Sequence, residues 1–462
     1  MALLPRIRTA FAAAERIDVL VIGAGLSGLY TAMLLEELGA RVKVLEARRR
    51  IGGRLYTRFD LPGHPEVGGN TIASGYGRAI DIASRVNVKL IDYAPRLFSG
   101  PTPELVLNGE LIRAADWSGS IRNTLPEEHR ELMPWQIPAA RLAGRNPLQS
   151  SADWLSRRHA SLDQPLYTYF VDQGLSDAEI SLGYDTNPYF GDSSWGVSAL
   201  MFLFNERWIA EQRSIGQAAY AVAGGNQRLP EAMATSLENE VLLDHEVAAI
   251  ESAPNRVSVH LKDGRKFDAA QAVCSLPLSK LRDIKLTPSL QGRQREAVRS
   301  VRYMRNTLIF LVPRRPFWED DGLSPSMWTD GIAGVVTAQK FGEDPGEVTG
   351  LVVNARGWSA DYLDRLGAEQ AGAAVIAEIE RLRPAARGAL ELGGHHSWWQ
   401  DPFAAGDWAI YGPGQVTGFL PVVANSHGNL HFCGEHTGTA NRGMESALES
   451  AERAVVAVAA RL

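Results

Sequence analysis

Three glycines, one acid and a run of arginines near the N-terminus are spaced for chemistry on a dinucleotide. Gly23-Ala24-Gly25-Leu26-Ser27-Gly28 reads as GxGxxG. Glycines here let backbone N–H groups reach a pyrophosphate at a helix N-terminus, where the dipole favours negative charge. Glu46 lies 18 residues beyond Gly28, placed to accept hydrogen bonds from ribose hydroxyls. An acid at that point favours a cofactor with a free 2′-hydroxyl, FAD or NAD over NADP. Ala47 and Arg48 follow, then Arg49 and Arg50 as a solvated turn, then Ile51-Gly52-Gly53-Arg54. The planar fork of Arg54 suits a pyrophosphate.

These residues need a strand before them and a helix after. Residues 17–22 (IDVLVI) form a continuous apolar run of strand length, as in a strand buried on both faces. In LYTAMLLEELG, Leu29, Ala32, Met33 and Leu35 recur at helical spacing and Gly39 stops the helix. Residues 41–45 (RVKVL) give a second strand, completing a βαβ unit. Lys262-Asp263-Gly264-Arg265 reads as a hairpin turn between VSVHL and KFDAAQAV. Residues 429–432 read as a strand, and a helix runs from about Asn441 to the end, with Ala447, Leu448, Ala451, Val455 and Val458 on one face.

Composition excludes other classes. The 462 residues carry 47 Lys and Arg against 53 Asp and Glu, a net charge of −6, without a basic block, so nucleic acid is not expected as a partner. A hydrophobic share of 45% is that of a globular chain of two or three domains. The two cysteines, Cys274 and Cys433, cannot build a disulfide framework and fit a reducing cytosol. No apolar run approaches membrane-span length. Residues 1–15 read as a short lead-in helix. His395-His396 lacks chelating geometry, because neighbours on a strand face opposite ways, so no metal site is expected.

The sequence resembles the flavin-containing amine oxidases (monoamine, polyamine and L-amino-acid oxidases) nearly end to end. The resemblance rests on residues 23–54, on Val67-Gly68-Gly69-Asn70, on Gly224-Gly225-Asn226-Gln227-Arg228-Leu229, and on LLDHEVAAIE with Val247. It continues in AVCSLPL with Pro277, in Pro316-Phe317-Trp318, and in Phe432-Cys433-Gly434-Glu435 followed by Arg442-Gly443-Met444-Glu445-Ser446-Ala447. It implies an α/β fold with an α+β substrate part: a Rossmann-like FAD-binding domain of the GR2 type over 1–95, 215–300 and 415–462, interleaved with a substrate domain over 96–214 and 301–414. The cofactor would be FAD. Gly68, Gly69 and Asn70 would carry the chain past the flavin. Val247 would contact the adenine and Glu435 the ribityl chain, with Gly434 also at the cofactor. The Met444 N–H, beside Gly443 at a helix N-terminus, would point at the flavin pyrimidine carbonyl and stabilise the reduced anion.

The implied reaction passes a hydride equivalent from an amine C–H to flavin N5. The resulting imine is hydrolysed, and O2 reoxidises the flavin with release of hydrogen peroxide. Trp408, after Trp399-Gln400-Asp401-Pro402 and Gly406-Asp407, matches the first aromatic of the family's substrate cage. The second cage position falls at Gly443 or Arg442, which leaves the cage half open. Where monoamine oxidases place a flavin-linked cysteine, this chain has Asp407, so noncovalent FAD is expected. The family's lysine near flavin N5 is missing. Arg305-Asn306-Thr307-Leu308 occupies that stretch, with Asn306 or Thr307 as a substitute water holder, and an oxidase and a dehydrogenase using another acceptor both stay open. An L-amino-acid oxidase places an arginine just after the Gly-Gly loop; here Asn70 stands there and Arg78 lies farther on. That favours an amine without an α-carboxylate. The aromatic stretch 184–208 would wall the substrate pocket. An L-amino-acid oxidase, a flavin desaturase and a non-catalytic flavin module are the rival readings. A small-molecule amine and O2 are the expected partners, a homodimer is left open, and the location is expected to be cytoplasmic.

Overall fold

The computed structural model describes residues 17–97 and 100–462. The expected lead-in helix over residues 1–15 lies outside them.

The apolar run near the N-terminus forms the strand Val19–Ile22, all four residues buried. It sits inside a four-stranded parallel sheet with Val42–Leu45 on one side and Gln271–Cys274 on the other, followed by Leu430–Phe432. The register pairs Val19 with both Val42 and Gln271. A central place in a sheet covered on both faces explains why Val19–Ile22 is an unbroken run of Val, Leu and Ile rather than an alternating one. The helix Leu26–Glu37 follows the glycine turn, and the C-terminal helix Gly443–Ala459 packs along it. Burying side chains such as Leu29, Leu35 and Leu448, each fully enclosed, stabilises this layer by about 1.5–3 kcal/mol apiece. The first and last segments of the chain are thereby fastened side by side.

Strands Val247–Ala253, Arg256–Leu261 and Lys266–Ala269 form an antiparallel meander, with Lys285–Thr287 added in parallel at its edge. The expected turn at residues 262–265 is where the second and third of these strands meet. A separate seven-stranded sheet runs in the order 390–397, 306–313, 350–356, 335–339, 327–329, 104–107, 110–112. Helices Trp358–Leu366 and Ala368–Leu382 contribute Leu363, Val375 and Ile379 to its core, against Ile309, Leu311, Val336 and Val353. The mixed α/β class expected from the sequence is the class observed. No helix among the described residues is long and apolar enough to cross a membrane.

Candidate active site

A cavity of about 820 Å³ runs from the glycine turn to a group of aromatic residues beside the seven-stranded sheet, near the upper end of the range for small-molecule sites. At one end Gly23, Gly25, Leu26 and Ser27 line it, with Glu46, Ala47 and Arg48 beside them. Gly23 has φ +101°, and a Cβ there would lie 2.5 Å from Ser275 Oγ. Gly25 faces open space: a Cβ would meet nothing within 4 Å. It is also the N-cap of the helix Leu26–Glu37, which has no side-chain cap and no acid in its first turn. An uncapped helix start facing a void is an anion cradle. Gly28 does not line the cavity. A Cβ there would lie 2.0 Å from the Gly23 carbonyl oxygen, so its place is the close crossing of helix and strand.

Glu46 is buried and held by two backbone donors, Ala24 N–H at 2.8 Å and Arg48 N–H at 2.9 Å. Burial pushes its carboxyl up, and those two hydrogen bonds pull it back. Each oxygen keeps acceptor capacity for a hydroxyl. Val247, His245 and Lys262 border the same end. The residues present therefore fit a dinucleotide: donors for its phosphates, an acceptor for its ribose, and no side chain in the way.

Midway, Gly53, Arg54, Gly68, Gly69, Asn70, Gly434 and Glu435 line the cavity. Arg54 Nη1 reaches Glu435 Oε1 at 2.8 Å and also donates to the Asp407 carbonyl oxygen. Glu435 Oε1 accepts from the Ala409 N–H at 3.2 Å as well. Arg54 Nη1 thus ties the two ends of the chain together, and the side chain lines the cavity as well. Asn226 Nδ2 donates to the carbonyls of Gly69 and Asn70, at 2.6 and 2.9 Å, fixing the loop that carries them.

At the far end Trp408, Phe190, Tyr189, Trp208 and Tyr76 surround the space with Asn306, Leu308, Asn354, Arg356, Asp407, Arg442, Gly443 and Met444. Asn306 Nδ2 donates to Asp407 Oδ2 at 3.0 Å, and its Oδ1 is buried without a partner. Burial pushes the Asp407 carboxyl up, opposed by Asn306, Arg54 and Arg356. Thr307 corrects the sequence reading. Successive strand residues face opposite ways, so Asn306 and Leu308 face the cavity while Thr307 is fully buried on the other side, its hydroxyl donating to Asp364 Oδ1 at 2.6 Å. Thr307 holds no water in this cavity. Leu308 is the residue the sequence reading passed over.

The aromatic stretch divides. Tyr189, Phe190 and Trp208 reach the cavity, whereas Tyr184 and Phe202 pack on Phe170 in the core. Arg78 is occupied elsewhere, by Glu445 at 3.1 Å and Glu452 at 2.8 Å. Arg356 gave no sequence signal: it ends the strand Gly350–Arg356, and only the fold carries it to the cavity. Among the described residues, no group of three or more His, Cys, Asp or Glu could hold a metal ion.

The model of the flavin containing amine oxidoreductases matches residues 26–459. An L-amino-acid oxidase of Siganus canaliculatus is 24% identical, covering 94% of this chain and 84% of its own length. A flavin-dependent L-tryptophan oxidase of Lentzea aerocolonigenes is 26% identical, covering 96% and 98%. Among solved structures, a redesigned putrescine oxidase superposes with TM-score 0.76 at 22% identity, covering 97% of this chain and 99% of its own. The cyclohexylamine oxidase of Brevibacterium oxydans IH-35A gives TM-score 0.76 at 21% identity, with 96% and 99% covered. A match spanning nearly every residue, together with a cavity lined at one end for a dinucleotide and at the other by aromatics, makes this chain a member of the flavin-containing amine oxidoreductases, a flavoenzyme acting on amines.

Proposed function

We propose that the chain binds FAD noncovalently and oxidises an amine C–N bond to an imine, which water hydrolyses to an aldehyde or ketone. The bound cofactor would supply the two-electron acceptor, taking a hydride equivalent at N5 and passing the electrons to O2 as hydrogen peroxide. The single observation that carries this reading is the continuity of one cavity from Gly25 and Glu46 to Trp408 and Gly443. A dinucleotide seated on the glycine turn would present its reactive ring to the aromatic end.

The residues of the chain have separable tasks. The helix start at Gly25 holds phosphates and Glu46 a ribose. The second helix start, Gly443–Ala459 behind its N-cap Arg442, places positive backbone potential where reduction would add negative charge. Trp408 and Phe190 orient the substrate and keep bulk water out. Asn306, a lining residue whose buried Oδ1 has no partner, is suited to hold a water or a substrate N–H. We also propose that the segments divide as the sequence suggests, 1–95, 215–300 and 415–462 for the cofactor, the remainder for the substrate. The two buried cysteines, neither in a disulfide, support a reducing, cytoplasmic setting.

The test is anaerobic mixing of the yellow holoprotein with a panel of amines and amino acids. Bleaching by members of the panel, with colour and peroxide returning on aeration, is the expected result. No bleaching by any member would favour a non-catalytic flavin module. Bleaching without reoxidation by air would favour a dehydrogenase.

A further inference from the structure

A second cavity, of about 40 Å³, lies against the first and shares Phe190, Trp408, Glu435, Arg442 and Gly443 with it. Its far walls are braced. Trp154 stacks on Phe204 with ring centroids 4.2 Å apart and donates from Nε1 to the Thr439 carbonyl at 2.7 Å. The Tyr411 hydroxyl donates to the His436 carbonyl at 2.6 Å.

Two lining residues carry polar atoms that the protein leaves unpaired. Asn205, on the helix Ala199–Ile215, is 1% exposed, and its buried Oδ1 has no partner. His436, in the turn after Leu430–Phe432, is 3% exposed, and its buried Nδ1 has none either. Burial, with Arg54 and Arg453 acting in the same direction, pushes the His436 imidazole down to about 3. The ring is therefore neutral and has one donor and one acceptor. Buried polar groups are costly unless paired. Two of them on one small cavity call for a ligand that both donates and accepts. Water needs about 10–15 Å³ and two to four polar partners. The cavity has room for it, whereas small-molecule sites start at about 300 Å³.

The two halves of the proposed reaction make opposite demands on water. Hydride transfer is served by a dry site, and Trp408 and Phe190 exclude bulk solvent. Hydrolysis of the imine consumes one water. Resting on the amine-oxidation reading above, we propose that the small cavity is a water site held by Asn205 and His436, and that its water hydrolyses the imine before the product leaves. The crossing is at Gly443, which lines both cavities and has no side chain. The water oxygen bonds to the imine carbon, and one of its protons goes to the imine nitrogen. The second proton follows to nitrogen as the C–N bond breaks, leaving a carbonyl compound and ammonia or an amine. Asn205 and His436 are positioning residues in this step: they hold and orient the water.

The test counts how the product leaves. The holoprotein is turned over, with air or an artificial acceptor, on a panel member that bleaches the flavin, in the presence of sodium cyanoborodeuteride. Imine that escapes is reduced to the starting amine carrying one deuterium, and mass spectrometry compares it with the carbonyl product. The wild-type protein should release mainly carbonyl. Asn205→Leu and His436→Phe should each raise the deuterated share severalfold. The share is counted per turnover, so a merely slower enzyme does not move it. Needing no variant, a crystal structure of the holoprotein that resolves waters should show one within hydrogen-bond distance of Asn205 Oδ1 and His436 Nδ1. The proposal is overturned if that water is missing, if wild type and both variants release the same share of imine, or if Asn306→Leu alone raises it, which would place the water in the main cavity. If the water is present and no panel member bleaches the flavin, the site stands and the amine-oxidation reading falls.

Discussion

Gly443 and Trp408 are so close that a Cβ on the glycine would lie 3.2 Å from the edge of the indole. Gly443 also has φ +56°, a conformation that costs an L-residue about 1–2 kcal/mol. The missing side chain thus keeps the space beside Trp408 open. Gly443→Ala should lower the thermal midpoint of the holoprotein and slow flavin reduction by bulky substrates more than by small ones. Scanning calorimetry and stopped-flow reduction with a size series would check both.

Glu46 receives backbone donors on both oxygens, so its loss unsettles the glycine turn as well as the ribose contact. Glu46→Ala should weaken FAD binding by about tenfold or more, the cost of losing a hydrogen bond to a buried carboxylate. Glu46→Gln, which keeps one acceptor oxygen, should fall between. Fluorescence titration of the apoprotein with FAD is the measurement.

Glu66 makes stability depend on pH. Its oxygens accept from the Asn226 N–H at 2.6 Å and the Thr57 hydroxyl at 2.8 Å. Burial nonetheless pushes its carboxyl from 4.5 up to about 8. The folded state therefore holds a proton that the unfolded state has released. The stability this contributes is fully present below the unfolded value, declines as pH rises, and is gone once pH passes the folded value. Thermal midpoints should fall between about pH 5 and 8 through this group. Glu66→Gln should flatten that slope and be the more stable form at the alkaline end.

Asn306 restrains the acid that precedes Trp408, through its 3.0 Å bond to Asp407. Asn306→Leu removes that bond and leaves the carboxyl buried without it. A fall of about tenfold in kcat/KM is expected, with FAD content unchanged, from steady-state kinetics on flavin-normalised samples.

The βαβ unit and the last helix were legible because local signals specify them: an apolar strand, glycines at fixed spacing, apolar residues at helical period. The cavity's aromatic end was less so. Trp408 could be placed by its neighbours in sequence, but Arg356 could not, since a strand-end arginine carries no mark of what it will face. Thr307 shows the same limit from the other side. Its spacing matched Asn306 to within a residue, and the alternation of a strand decides which of the two sees the cavity. The pairing of Arg54 with Glu435 was not legible either, because the two are far apart in sequence and meet only once the first and last segments do.

Neither Cys274 nor Cys433 lines the cavity, so nothing among the described residues offers a thiol for a flavin link. Acid precipitation should leave the protein white and the supernatant yellow.

The central claim is that this cavity holds FAD, and the direct measurement is the flavin content of the purified protein, quantified after denaturation and repeated after incubation with excess FAD. A full complement of FAD per chain, with a lower content in Glu46→Ala as purified, is the predicted result. Protein that is colourless and takes up no FAD at saturation would contradict it.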